Sequence, residues 1–122
     1  MNKIYCLLIF LITTNVFSQN DFNNLKGKKI LVVYGGWEGH QPKVFAEKIT
    51  KWLLDKKAEV KLVKGTSIYT DSNVMNDLDL IIQHITMSKM SPLETKGLIS
   101  AIAQGVGLAG CHGGLGDSFR DN

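Results

Sequence analysis

The run from Lys28 to Tyr34 sets the tightest limit on how this chain can fold. Ile30, Leu31, Val32 and Val33 follow one another with no polar break, and three of them are β-branched. A strand with one wet face alternates apolar and polar residues, whereas an unbroken run asks to be covered on both faces, as in a parallel sheet. The run stops at Gly35-Gly36. Pro42 then suits the first position of a helix, and Phe45, Ile49, Trp52 and Leu53 fall at i, i+4, i+7 and i+8, the apolar stripe of a helix that lies on a sheet. Lys43, Glu47, Lys51 and Asp55 fall mainly outside that stripe and are expected in solvent.

The same alternation continues down the chain. Glu59–Val63 reads as a second strand, Asp71–Asp77 as a polar loop with room for one helical turn, and Asp79–Gln83 as a third strand. Ser91-Pro92-Leu93-Glu94 joins a capping box to a proline at the first helical position, the strongest helix start present. That helix runs through Leu98, Ile99 and Ile102 to Gly105, placed as its left-handed cap. Val106–Ala109 is a fourth strand and leads directly into Gly110-Cys111-His112-Gly113-Gly114. Strands alternating with helices predict βαβ units and a parallel α/β sheet with right-handed crossovers. No internal repeat or low-complexity segment interrupts the pattern.

The first 18 residues stand apart from this fold. Lys3 precedes a mostly apolar stretch, Tyr5–Val16, and Val16 and Ser18 occupy the −3 and −1 positions of a small-residue cleavage site. This is the build of a secretory signal peptide cut after Ser18, which predicts an exported, periplasmic or secreted protein. A membrane anchor would need about 20 apolar residues, more than are present. Residues 19–27 form a polar lead-in, and 28–122 the domain. Of 122 residues, about 104 would remain after cleavage, enough for one small domain.

Removing Lys3 leaves 13 basic and 11 acidic side chains, spread without a basic stripe, so a nucleic-acid partner is not indicated. Cys6 would leave with the signal, and Cys111 then has no internal partner. A lone thiol in an exported protein is buried, paired with another chain or reactive. Self-association of the domain is therefore left open.

Ligands of parallel sheets bind beyond the carboxyl ends of the strands. Every histidine, Cys111 and the only arginine fall in loops expected at that edge: Gly35–His40, His84–Thr86 and Gly110–Arg120. In the first of these, Gly35 and Gly36 permit close backbone approach and Trp37 could stack on a sugar face; the alternative is a tight strand-to-helix turn. Gly105, Gly107 and Gly110 match the dinucleotide fingerprint in letters only, because they run from a helix cap through a strand instead of opening a helix. No cofactor is predicted. Glu38, His40, His84 and His112 could in principle meet at a metal, but no tight ligand spacing supports one.

Gly110–Gly114 is a glycine-flanked turn after a strand, the setting of a nucleophile elbow, where Cys111 could be an activated thiol. Equally, Cys111 could be a small buried hydrophobe continuing Leu108-Ala109. Asp117 could orient His112 or bind hydroxyls, with Arg120 as a directional fork, or the two could simply pair at i, i+3.

The segment Gly107–Arg120 (GLAGCHGGLGDSFR) resembles the signature of the ThuA-like, trehalose-utilisation family, and the glycine loop ending at His40 and Ile85-Thr86-Met87 agree with it in order and spacing. The resemblance spans about Lys28 to Asn122. It implies a three-layer flavodoxin-like, class I glutamine amidotransferase-like sheet, and a role in catabolism of trehalose-type disaccharides or their oxidised keto forms. By the same resemblance His112 is the acid/base or ligand-holding residue, supported by Asp117 and Arg120, with Cys111 a weaker catalytic candidate. Gly35, Gly36, Trp37, His40, His84, Gly113 and Gly114 are the matching substrate-binding positions, and a small sugar is the implied partner. Glutaminase activity is not expected. Family domains continue past this signature, so the expectation is a domain cut after its fourth strand, with an unpaired edge and partly uncovered apolar faces. A non-catalytic carbohydrate-binding module on the same fold, or an inactive fragment, is the alternative.

Overall fold

A computed structural model describes residues 24–120. The predicted signal peptide, and the lead-in before Asn24, lie outside the described residues. Four strands form one parallel sheet: β1 (Lys29–Gly36), β2 (Glu59–Lys64), β3 (Leu80–Thr86) and β4 (Gly107–Gly110). The helices are α1 (Pro42–Asp55), α2 (Ser72–Met75), α3 (Pro92–Ala103) and α4 (Gly113–Gly116), with short 3₁₀ turns at Glu38–His40 and Ser67–Thr70. The order across the sheet is β2-β1-β3-β4, a three-layer, flavodoxin-like arrangement.

The side chains of β1 explain why it lies centrally. Leu31 and Val33 point into one core with Tyr69, Met75, Ile81, Ile85, Leu98 and Ala101, beneath α2 and α3. Ile30 and Val32 point into the other, with Ala46, Leu53 and Ile82, beneath α1. Each such aliphatic side chain, fully buried, contributes roughly 1.5–3 kcal/mol, and β1 supplies four of them. The edge strand β2 is only half covered and carries Lys61 and Lys64, charges that discourage edge-to-edge pairing.

The capping box at α3 forms as its sequence predicts: Glu94 N–H donates to the Ser91 hydroxyl, and the Glu94 carboxylate accepts from Ser91 N–H. Gly105 follows with φ 104°. The polar loop after β2 does contain one helical turn, α2, whose first amides at Asn73 and Val74 donate to the Asp71 carboxylate. The 3₁₀ turn at Ser67–Thr70 was not legible, since nothing in those four residues marks it except the burial of Tyr69.

Two expectations need correction. Trp52 is half exposed, because the face of α1 that meets the sheet centres on Pro42, Ala46 and Leu53 and leaves Trp52 at its margin, beside Leu25 and Leu80. The third strand is longer than expected and continues through His84, Ile85 and Thr86. His84 and Thr86 are thus strand residues, held by pairing with Tyr34 and Gly36 of β1. Strand β4 pairs with β3 alone, and Leu108 on it is exposed, as are Ile99 and Ile102 of α3. Among the described residues no helix is long and apolar enough to cross a membrane.

Candidate functional site

The chain leaves β1 toward β2 on one side and returns to β3 on the other, so the sheet changes direction between β1 and β3. A crevice at the carboxyl ends of the strands forms at such a reversal. Gly36 and Thr86 stand side by side there, in register. Their closeness dictates the glycine: a Cβ on residue 36 would lie 1.8 Å from the Thr86 carbonyl oxygen, and φ there is 81°. Trp37 N–H then donates to that same carbonyl at 2.9 Å, which ties the first loop to the end of β3.

Alternation along β3 sends Leu80, Ile82, His84 and Thr86 to the α1 face, and Ile81, Gln83 and Ile85 to the other. His84 is stacked on Phe45 of α1, with ring centroids 4.3 Å apart, and its Nε2 lies 3.4 Å from the His40 carbonyl oxygen. A carbonyl only accepts, so Nε2 carries the proton and Nδ1 is bare; Nδ1 is buried with no hydrogen-bond partner among the described residues. Burial pushes the His84 pKa down, opposed by the hydrogen bond to His40 and reinforced by the other two histidines.

His40 packs edge-on against Trp37 (4.8 Å between ring centroids) and His112 (5.1 Å), and its Nδ1 lies 3.0 Å from the Thr86 hydroxyl. Trp37 is about half exposed, 51 %, with its ring against Gly39 and His40 and the remainder open to solvent. Gly113 and Gly114 lie underneath: a Cβ at 113 would come within 2.4 Å of the His40 ring, and one at 114 within 2.2 Å of the His84 ring. Both glycines are buried, so they make room for imidazoles instead of facing a ligand.

The elbow reading of the turn after β4 would put Cys111 at its strained position. That conformation belongs to His112, with φ 48° and ψ −138°, immediately before α4. Cys111 is exposed, which removes its reading as a buried hydrophobe. Besides His112, Gln41 and Met87 also have φ 48°, so three of the four non-glycine residues with positive φ among the described residues flank this one crevice. Each such conformation costs on the order of 1–3 kcal/mol, and strain of that kind collects where function holds it.

Asp117 and Arg120 take the simpler of their two readings. Arg120 Nε donates to the Asp117 carboxylate at 2.8 Å, at i, i+3, and Asp117 makes no hydrogen bond to His112 among the described residues. What anchors the turn was not foreseen from the sequence. Tyr69 O–H donates to Gln83 Oε1 at 2.8 Å, Gln83 Nε2 donates to Ser118 Oγ at 3.0 Å, and Ser118 Oγ–H is shared between the Gly114 and Leu115 carbonyls. Met87 N–H and Ser88 N–H add backbone bonds to the Asp117 and Ser118 carbonyls. The turn straddles the end of β3, with Gly114 against His84 on one face and Ser118 bonded to Gln83 on the other.

With this geometry in view, comparison with known proteins decides the family. The ThuA family model, described as trehalose utilisation, matches residues 29–122. The chain belongs to the ThuA family. No curated protein and no solved structure matches it. The matched span takes in the whole sheet and every residue of the crevice. Among the described residues no three histidine, cysteine, aspartate or glutamate side chains are grouped to hold a metal ion, so Glu38, His40, His84 and His112 do not form one set. Thr86, fully buried at the centre, is the residue that sequence reasoning left without a role. In the sequence it stood only as the middle of Ile85-Thr86-Met87, at the end of a strand that already holds Gln83 and His84.

Proposed function

We propose that this ThuA domain binds a disaccharide of the trehalose type, or its keto derivative, in the histidine-lined crevice at the β1–β3 reversal, with His112 as acid/base. The observation that carries the reading is the strained backbone of His112. It sets an imidazole with no hydrogen-bond partner of its own, among the described residues, against His40 (5.1 Å between ring centroids), whose ring also packs edge-on against the half-exposed Trp37. Imidazole is suited to proton transfer near neutral pH, and an exposed indole face suits a sugar ring. Family membership, described as trehalose utilisation, supports the choice of sugar. Asp117 and Arg120 are paired through one Nε–Oδ1 bond, which leaves the remaining guanidinium N–H groups and the second carboxylate oxygen available to sugar hydroxyls.

The test is incubation of the purified protein with trehalose and with its keto derivative, products being followed by NMR. His112→Ala is expected to abolish turnover with sugar binding retained, while Trp37→Ala weakens binding. Full turnover by His112→Ala would remove His112 from the chemistry. The exposed Trp37 also favours a second reading, a carbohydrate-binding module without catalysis. Binding that survives His112→Ala but fails in Trp37→Ala, with no turnover in any variant, would select it.

We also propose that the protein acts outside the cytoplasm. The charged start, the apolar Tyr5–Val16 stretch and the small residues at −3 and −1 support export. N-terminal sequencing of the protein from the exported fraction should begin at Gln19, and an intact Met1 would refute cleavage.

A further inference from the structure

Thr86 touches both loops that flank it in the crevice. Its carbonyl accepts from Trp37 and abuts Gly36, its methyl group lies against Gly113, and its hydroxyl meets His40 Nδ1 at 3.0 Å. The side chain is fully buried, and the imidazole is the hydroxyl's one hydrogen-bond partner among the described residues. A hydroxyl has a single proton, and a buried donor left unmade costs about 1–3 kcal/mol. If His40 carried its proton on Nδ1, the hydroxyl would accept it and the threonine's own proton would have no acceptor. If Nδ1 is bare, the hydroxyl donates to it and both groups are satisfied.

We propose that Thr86 is a positioning residue of the crevice, its hydroxyl donating to His40 Nδ1 and so fixing His40 as the Nε2–H tautomer, a hydrogen-bond donor to an oxygen of the bound ligand. The ligand role rests on the sugar-site reading above; the tautomer does not. A neutral His40 held this way has no free lone pair, so it cannot take a proton from the substrate. It polarises a hydroxyl or carbonyl oxygen, and proton abstraction is left to His112. The two histidines thereby hold different offices despite their adjacency. His84 repeats the device in the layer below, its Nε2–H donating to the His40 carbonyl and holding the main chain of the same residue.

The experiment is long-range ¹H–¹⁵N NMR of the histidine-labelled protein at pH 8, without ligand. The expected wild-type spectrum has His40 protonated at Nε2, a bare Nδ1 shifted as a hydrogen-bond acceptor, and a Thr86 hydroxyl proton protected from exchange. Thr86→Val is expected to remove the acceptor shift at Nδ1, and Thr86→Ser to restore it, a rescue that a purely space-filling role would not produce. A wild-type His40 with its proton on Nδ1 overturns the proposal without any variant needing to fold. So does an Nδ1 shift unchanged in Thr86→Val. If the tautomer is as described and neither sugar binds, the sugar reading fails and the role of Thr86 in setting the tautomer stands.

Discussion

Replacing Tyr69 with phenylalanine removes one oxygen from a relay that runs through the middle of the domain. The ring and its packing against Met75 and Leu98 stay, so no cavity opens. What is lost is the donor to Gln83 Oε1, in a place where Tyr69, Gln83 and Ser118 are each no more than 3 % exposed. Burial drives the Tyr69 pKa well above the usual tyrosine value, so the hydroxyl is a donor at any workable pH. Leaving a buried amide oxygen without a partner costs about 1–3 kcal/mol. For a domain of this size each kcal/mol lowers Tm by about 4–8 °C. Urea unfolding with an unchanged m-value should give that loss. The relay also predicts where the loss is felt. With Gln83 free to rotate, its bond to Ser118 weakens, and the amides of Met87 and Ser88, which bind the Asp117 and Ser118 carbonyls, should exchange faster. A local loss of 1.4 kcal/mol would speed that exchange about tenfold. Ser118→Ala breaks the same chain from its other end, so the double variant should cost less than the two single losses added together. A Tyr69→Phe protein within about 0.5 kcal/mol of wild type, with Met87 and Ser88 exchanging as before, would refute the idea that the relay holds the turn.

Three other perturbations test neighbouring parts of the argument. Gly36→Ala puts a Cβ against the Thr86 carbonyl at a φ of 81°, and the steric and backbone costs together come to about 2–5 kcal/mol; a melting temperature unchanged from wild type would show that the β1–β3 contact is looser than described. Asp79, bound by the Lys28 ammonium and Lys29 N–H, and Glu94, bound by Ser91 N–H, both titrate below their ordinary values of 3.8 and 4.5. The unfolded chain therefore takes up protons first as the medium is acidified; their stabilisation is complete above those values and is lost as pH falls through the lower folded ones, and Asp79→Asn should flatten that part of the stability–pH curve. His84, depressed by burial, should titrate in NMR with a midpoint below 6.5, so stability falls as pH drops below 6.5 while the unfolded chain alone gains the proton; a midpoint at or above 6.5 would mean the ring is wet.

Much of this fold was legible because short-range rules carry it. The unbroken apolar run of β1, the Pro42 start of α1 and the Ser91–Glu94 capping box each state their own conformation, and their alternation implies a parallel sheet. Loop composition likewise located the crevice, since His40, His84 and His112 all lie at the carboxyl edge. Local reading failed where two conformations share one composition. Gly110–Gly114 admits Cys111 either at an elbow or buried, and in the structure Cys111 is exposed while the positive φ falls at His112.

By itself, then, the sequence determined the class of sheet, its helix starts, the family and the edge where chemistry would gather, because each depends on periodicity, capping or an unbroken motif. Tertiary structure decided which side chains meet. Gly113 and Gly114 became spaces for His40 and His84, Asp117 turned to Arg120, and Thr86, Tyr69, Gln83 and Ser118 acquired partners 14 to 46 residues away. A hydroxyl or amide has no preferred partner until packing buries it, and it is burial, by removing water as the alternative, that makes the choice.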